Sequence, residues 1–135
     1  MRKQTISVVI AQPFDEVYGF LADPLNFPSW GPVTDPEIHH LHGSDWLMQL
    51  QRGPRVVRFT EPNLYGVLDF VVFGAGEPPG LPVPARLVRV EEGAELTLTW
   101  RQRHGSTDEE FEAGVDQIER HFARLKAMLE ADPAS

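Results

Sequence analysis

The spacing of apolar residues changes twice along this chain, and the changes divide it into three parts. Across residues 106–131 they fall at Phe111, Val115, Ile118, Phe122, Leu125 and Leu129, in alternating steps of four and three. That spacing sets all six along one stripe of a long helix. Glu112, Asp116, Glu119, Arg120 and Lys126 take its other faces. Ser106 with Glu109, and Thr107 with Glu110, both fit a capping box at its start. Asp108, Glu109 and Glu110 meet the positive end of the helix dipole. Roughly 24 residues at 1.5 Å rise reach about 36 Å, so the helix needs a broad apolar surface to lie on.

At the other end of the chain, residues 5–10 alternate, with Ile6, Val8 and Ile10 on one face, as in a strand. Pro13 suits the first position of a helix, and Phe14, Val17, Tyr18 and Leu21 follow at helical spacing. Pro24 ends that helix by pushing Asp23 out of the helical region. A turn-rich piece then carries Phe27 and Trp30 between prolines.

The middle of the chain reads as six strands: 37–42, 45–51, 55–60, 66–73, 85–91 and 95–103. Gly43-Ser44 suits a two-residue hairpin turn, residues 51–54 a second turn, and Glu92-Gly93 the last. Residues 74–84 form the one long loop. Antiparallel pairing about these turns places Trp46 opposite Phe59, Met48 opposite Val57, Phe70 opposite Val88, and Val88 opposite Leu98 on an inner face. A single register ties these pairs together. Gln49, Arg58, Asp69, Arg89, Thr97 and Thr99 fall on the outer face, with Val71, Leu87 and Phe73 as apolar exceptions that leave open a dimer contact or a slipped register in the strand at 66–73. The expected fold is α+β: a curved antiparallel seven-stranded sheet wrapped around the long C-terminal helix, with two short helices after the first strand.

Composition narrows the function. At 135 residues the chain is expected to be a single domain. Twenty acidic against twelve basic residues give a net charge of −8, which argues against nucleic acid and anionic membranes as partners. There is no cysteine, so disulfides and thiol chemistry are absent. No apolar run is long enough for a membrane span, and residues 8–11 are too short a run for a signal peptide. A soluble protein of the cytoplasm is the expectation.

Several segments resemble the START-like helix-grip superfamily, which includes polyketide cyclase/dehydrase-like proteins. They are Ile10-Ala11-Gln12-Pro13-Phe14-Asp15-Glu16-Val17-Tyr18, Phe20-Leu21-Ala22-Asp23-Pro24 and Phe27-Pro28-Ser29-Trp30. Tyr65-Gly66-Val67-Leu68-Asp69, Pro84-Ala85-Arg86-Leu87-Val88 and Asp108-Glu109-Glu110-Phe111 resemble a bacterial branch of it. The resemblance implies a helix-grip fold with an apolar cavity between sheet and long helix, open to a lipid, a polyketide or a similar ligand. It implies no shared catalytic motif. Relatives in that branch tend to carry histidine where this chain has Phe70, so chemistry resting on it is missing here.

The candidate ligand-binding residues are Arg86, Trp100, Trp30, His39, Trp46, Met48, Phe59, Phe70, Gly114 and His121. Arg86 comes opposite Trp100 and Val72 on the inner face, where a guanidinium can anchor a carboxylate or carbonyl, or stack on the indole. His39 faces Met48 and can move a proton near neutral pH, or serve as a satisfied core histidine. His121 and Gly114 flank the helix stripe. Gly114 costs about 1 kcal/mol relative to alanine, and it leaves room either for a ligand or for close approach of a strand or of Trp30. The large rings either fill a cavity or line one. His40 and His42 share a strand face without a further cluster of ligands, so no metal is expected. No nucleotide loop or catalytic triad is present, and no cofactor is implied. Binding of a hydrophobic or aromatic small molecule is the leading expectation. The alternatives are a cyclase or dehydratase using Arg86 with His39 or His121, and a ligand-free interaction protein with a filled core.

Overall fold

The computed structural model describes residues 1–131. The elements, in chain order, are β1 (Lys3–Ile10), α1 (Phe14–Ala22), a single 3₁₀ turn (Pro24–Asn26), α2 (Phe27–Trp30), β2 (His39–His42), β3 (Asp45–Leu50), β4 (Gly53–Phe59), β5 (Phe70–Phe73), β6 (Ala85–Val90), β7 (Gly93–Arg101) and α3 (Asp108–Glu130). The α+β layering and the long C-terminal helix follow the hydrophobic periods closely.

Instead of one seven-stranded sheet there are two antiparallel sheets, β1-β7-β6 and β2-β3-β4-β5. Between β5 and β6 only the isolated pairs Val67↔Arg86 and Phe70↔Val83 occur. The cause is legible in the residues facing β5. Pro78, Pro79, Pro82 and Pro84 have no N–H to give a ladder, so from this side Val83, Ala85 and Leu87 donate across the seam, Leu87 to Gly66 O at 2.9 Å. Even Ala85 donates to the Asp69 side chain rather than to backbone, at 2.8 Å.

Four expected registers are corrected, the first at the seam, where Phe70 meets Val83 rather than Val88. In the β3–β4 hairpin Trp46 pairs with Val57 and Met48 with Arg55, a shift of two residues that keeps the same side chains inside. In β2 the Gly43-Ser44 turn forms as expected, with His42 opposite Asp45, but a bulge lies between His40 and His42. The extra residue turns the rest of the strand over. His40 is thereby paired with Trp46, and His39 points away from Met48 toward solvent. The β6–β7 hairpin turns at Glu91-Glu92, with Val90 opposite Gly93, so β6 is displaced by an odd number of residues. Ala85 and Leu87 face inward, Leu87 at 1% exposure, while Arg86 and Val88 face out. Arg86 therefore pairs with Thr97 and lies on the opposite face of the sheet from Trp100.

Packing is concentrated on the three-stranded sheet. Ile6, Ile10, Leu87, Ala94, Leu96 and Leu98 form one buried cluster with Phe111, Val115, Phe122 and Leu125 of α3. Of the two candidate caps, Thr107 with Glu110 forms the box: each side chain accepts the other's backbone N–H at 3.1 Å. The far end of α3 is hooked to β1. Lys126 Nζ donates to Val9 O and to Glu130, and Glu130 accepts from Ala11 N–H, each at 2.7 Å.

Candidate functional site

The seam between the sheets leaves a hollow beneath it, roofed by α1, α2 and α3. Its rings come from three directions: Phe27 and Trp30 from α2, Phe59 and Phe70 from the four-stranded sheet, and Phe122 from α3. Leu21, Leu68, Leu96 and Leu98 complete an apolar lining. Thr60 supplies the only side-chain hydroxyl, and that hydroxyl donates to Asp69 O at 2.6 Å. No charged side chain lines the space.

The aromatic packing is specific. Phe27 meets Trp30 and Phe59 edge to face, with centroids at 5.3 and 5.5 Å, and Trp30 lies 6.3 Å from Phe122. The Phe27 ring folds back over Gly31, where a Cβ would come within 2.9 Å of it. A bare backbone at Gly31 is thus what lets Phe27 seat. The free volume is about 40 Å³. One water needs about 10–15 Å³ on this measure, and a drug-sized ligand site runs to about 300–1,000 Å³. In this conformation the hollow accommodates a few waters, and α2's own rings occupy much of the space.

The expected site residues divide into five groups. Trp30, Phe59 and Phe70 line the hollow together. Met48, 1% exposed, and Trp46 lie on the same face of β3 but outside the lining. Trp46 packs at 4.9 Å against His40 instead. Gly114 and Trp100 meet each other: a Cβ at Gly114 would lie 2.8 Å from Trp100 Nε1. The space beside Gly114 is therefore filled by a strand residue, not left for a ligand. His39 and Arg86 lie in different sheets with exposed side chains and converge on no common pocket. His39 sits 3.9 Å from Glu37. His121 is half-buried on the α3 flank, and burial, with Arg124 and Arg120 nearby, pushes its pKa down. Asp69 and Arg89, both expected on the outer face, do not pair with each other. Arg89 instead stacks on Phe14 at 4.1 Å and approaches Asp15 at 3.4 Å.

Phe27 and Phe122 were not among the candidates, although both had visible signals. Phe27 precedes a proline three residues before Trp30, and Phe122 sits at the middle of the α3 stripe. Among the described residues no three His, Cys, Asp or Glu side chains cluster to hold a metal. Nor, among the described residues, is any helix long and apolar enough to cross a membrane.

No family model matches the sequence, and no curated protein matches it. Solved structures do match the fold. The Aha1 dimer from Colwellia psychrerythraea superposes with a TM-score of 0.75 at 18% identity, over 96% of this chain and 97% of that one. A Bacillus thuringiensis protein of uncharacterised function reaches 0.77 at 13% identity, over 96% and 100%. DynU16, a protein from the dynemicin biosynthetic locus, gives 0.70 at 20% identity over 96% of this chain; the match spans about half, 47%, of DynU16. At these identities the likeness is one of fold, and it is consistent with the helix-grip architecture.

Proposed function

We propose that this protein is a START-like helix-grip protein that binds a small, uncharged hydrophobic or aromatic molecule in the hollow under α2 and α3. The observation that carries the reading is the lining itself: five aromatic rings, aliphatic side chains and one hydroxyl already engaged. Such a surface rewards apolar contact and offers a charged ligand no partner. Occupancy by anything larger than a few waters requires α2 to withdraw. That element is a single turn of four residues with no side-chain cap, so its displacement breaks few bonds. The cyclase or dehydratase alternative is less well supported, because Arg86 and His39 do not reach the lining.

The test is mass spectrometry of freshly purified protein under native and denaturing conditions. An apolar species retained only in the native spectrum supports the reading. A clean apo mass, with Nile red failing to bind in titration, opposes it. Self-association is a second reading. It is favoured by the Colwellia relative, which is described as a dimer, and by half-buried Val71 and Phe73 on the outer sheet face. Leu87 no longer belongs to that face. Sedimentation of the wild type beside Phe73→Ser measures it.

A further inference from the structure

We infer that the outer face of the three-stranded sheet carries a second site, distinct from the hollow, for a small monocarboxylate bearing a hydrogen-bond donor at its other end. The inversion of β6 creates it. Arg86 and Val88 stand beside Thr97 and Thr99 of β7, and Pro84 and Asp69 close the end at the seam. Together they border an open depression with about 400 Å³ of free space.

The chemistry follows from what each group already does. Arg2, Arg52, Arg58 and Arg89 each have a carboxylate within 4 Å, at 2.9, 3.7, 2.6 and 3.4 Å, whereas Arg86, like Arg101, Arg103, Arg120 and Arg124, has none among the described residues. The Arg86 guanidinium has no hydrogen bond or ion pair among the described residues. A planar fork of donors left open in a depression matches a carboxylate. The Thr97 hydroxyl is tied to Ser7 at 3.0 Å, which leaves the Thr99 hydroxyl to add a bond. The wider face carries one more basic than acidic side chain despite the acidic chain: the strand registers place Lys3, Arg101 and Arg86 on it against Glu95, with Asp69 at the seam end. Val88, 41% exposed, and Pro84 give an apolar wall for a ring or short chain.

Asp69 sets the selectivity. One of its oxygens accepts from Ala85 N–H, and the carboxylate borders the depression. It repels a second acid and can accept from a hydroxyl or amine. The site therefore favours a hydroxy- or amino-substituted monocarboxylate over a dicarboxylate.

The probe is 4-hydroxybenzoate, followed by backbone amide shifts in ¹⁵N spectra of the full chain. Saturable shifts are expected at Arg86, Val88, Thr97 and Thr99. Arg86→Met, an exposed change that leaves the core untouched, should weaken binding about tenfold or more. The neutral analogue 4-hydroxybenzyl alcohol should not saturate these amides. Asp69→Asn, which keeps an acceptor for Ala85, should admit terephthalate where the wild type excludes it. Equal affinity in Arg86→Met overturns the proposal. So does an absence of saturable shifts at millimolar probe, or shifts confined to hollow residues such as Leu98 and Phe122.

Discussion

The two sheets are similar in size, yet they treat α3 differently. The three-stranded sheet buries Ile6, Ile10, Leu96 and Leu98 directly against Phe111, Phe122 and Leu125, and the Lys126–Glu130 hook fastens the helix to its edge strand. The four-stranded sheet reaches α3 through surface polar contacts such as Gln51 with Gln117 and Arg52 with Glu110. Its fully buried Met48 and Val57 stand apart from the α3 cluster. One half is thus a closed core, and the other is a wall facing a hollow. Stability is concentrated in the first half. Freedom to open belongs to the second, where only short α2 and a seam interrupted by prolines need move.

One substitution in each half breaks this comparison most directly. Leu125 is 0% exposed in the packed half, and Leu125→Ala should cost about 2–5 kcal/mol by urea unfolding. Phe59 is half-buried and already borders free space. Phe59→Ala should cost less than Leu125→Ala despite the larger side chain lost, and should impair Nile red binding more. If the two costs come out reversed, the division into a packed half and an open half is wrong.

A smaller effect is expected where α3 crosses Trp100. Gly114→Ala gains about 1 kcal/mol of helix propensity. It also drives a Cβ to 2.8 Å from a rigid indole. Overpacking of this kind costs about 1–3 kcal/mol, so the net should be a modest loss accompanied by a shift in tryptophan fluorescence. A stabilised variant with unchanged fluorescence would show that Trp100 yields freely, and would place mobility in the three-stranded half.

The elements were legible because their periods were strong: the stripe through Phe111 and Leu129, the alternation through Ile6 and Ile10, and the Thr107–Glu110 cap. Faces were harder to read. In β6 one alternate set is Ala85, Leu87 and Arg89, and the other is Arg86, Val88 and Val90. Each contains two apolar residues and an arginine, so pattern alone could not choose between them. The expected pairing of Val88 with Leu98, centred on Gly93, lies three residues from the observed pairing of Val88 with Glu95, and an odd slip reverses the face. Gly93 instead begins β7 with φ of +147°, because Ile10 O and Gln12 crowd its position. In β2 the turn was right and the bulge reversed its consequence. Both errors moved the polar candidates, Arg86 and His39, from inside to outside. The aromatic candidates survived a two-residue slip because an even slip keeps the face.

The four-stranded sheet has its own electrostatic anchor. Asp45, 5% exposed, takes two hydrogen bonds from Arg58 at 2.6 and 3.0 Å, and Arg58 lies over Phe73. Those bonds hold the Asp45 carboxyl below its usual range, against the opposing effect of burial. A depressed folded pKa gives stability that is present above the unfolded value of about 3.9 and is lost as pH falls through the folded value. Arg58→Met should therefore lower the urea midpoint at pH 7, and the difference from wild type should shrink as pH falls below about 4. A pH-independent difference would mean that Arg58 acts by covering Phe73 rather than by pairing.

The smallest effect belongs to the hook on the opposite half. The Lys126 ammonium, and then the Ala11 N–H, hold Glu130 below the ordinary glutamate range. Glu130→Gln keeps an acceptor for Ala11 N–H and removes the charge facing Lys126. The hook sits near the surface, and ion pairs there are screened by salt. The global urea midpoint should therefore barely move. Hydrogen exchange should accelerate at Ala11, where the β1 edge loses its anchor, while amides of the Ile6–Leu98 pair keep their protection. High salt should produce part of the same local change in the wild type. If protection falls across all of β1 instead, the hook rather than the buried cluster holds α3 on its sheet. The contrast between the two halves would then rest on two charged side chains, not on the packing of the core.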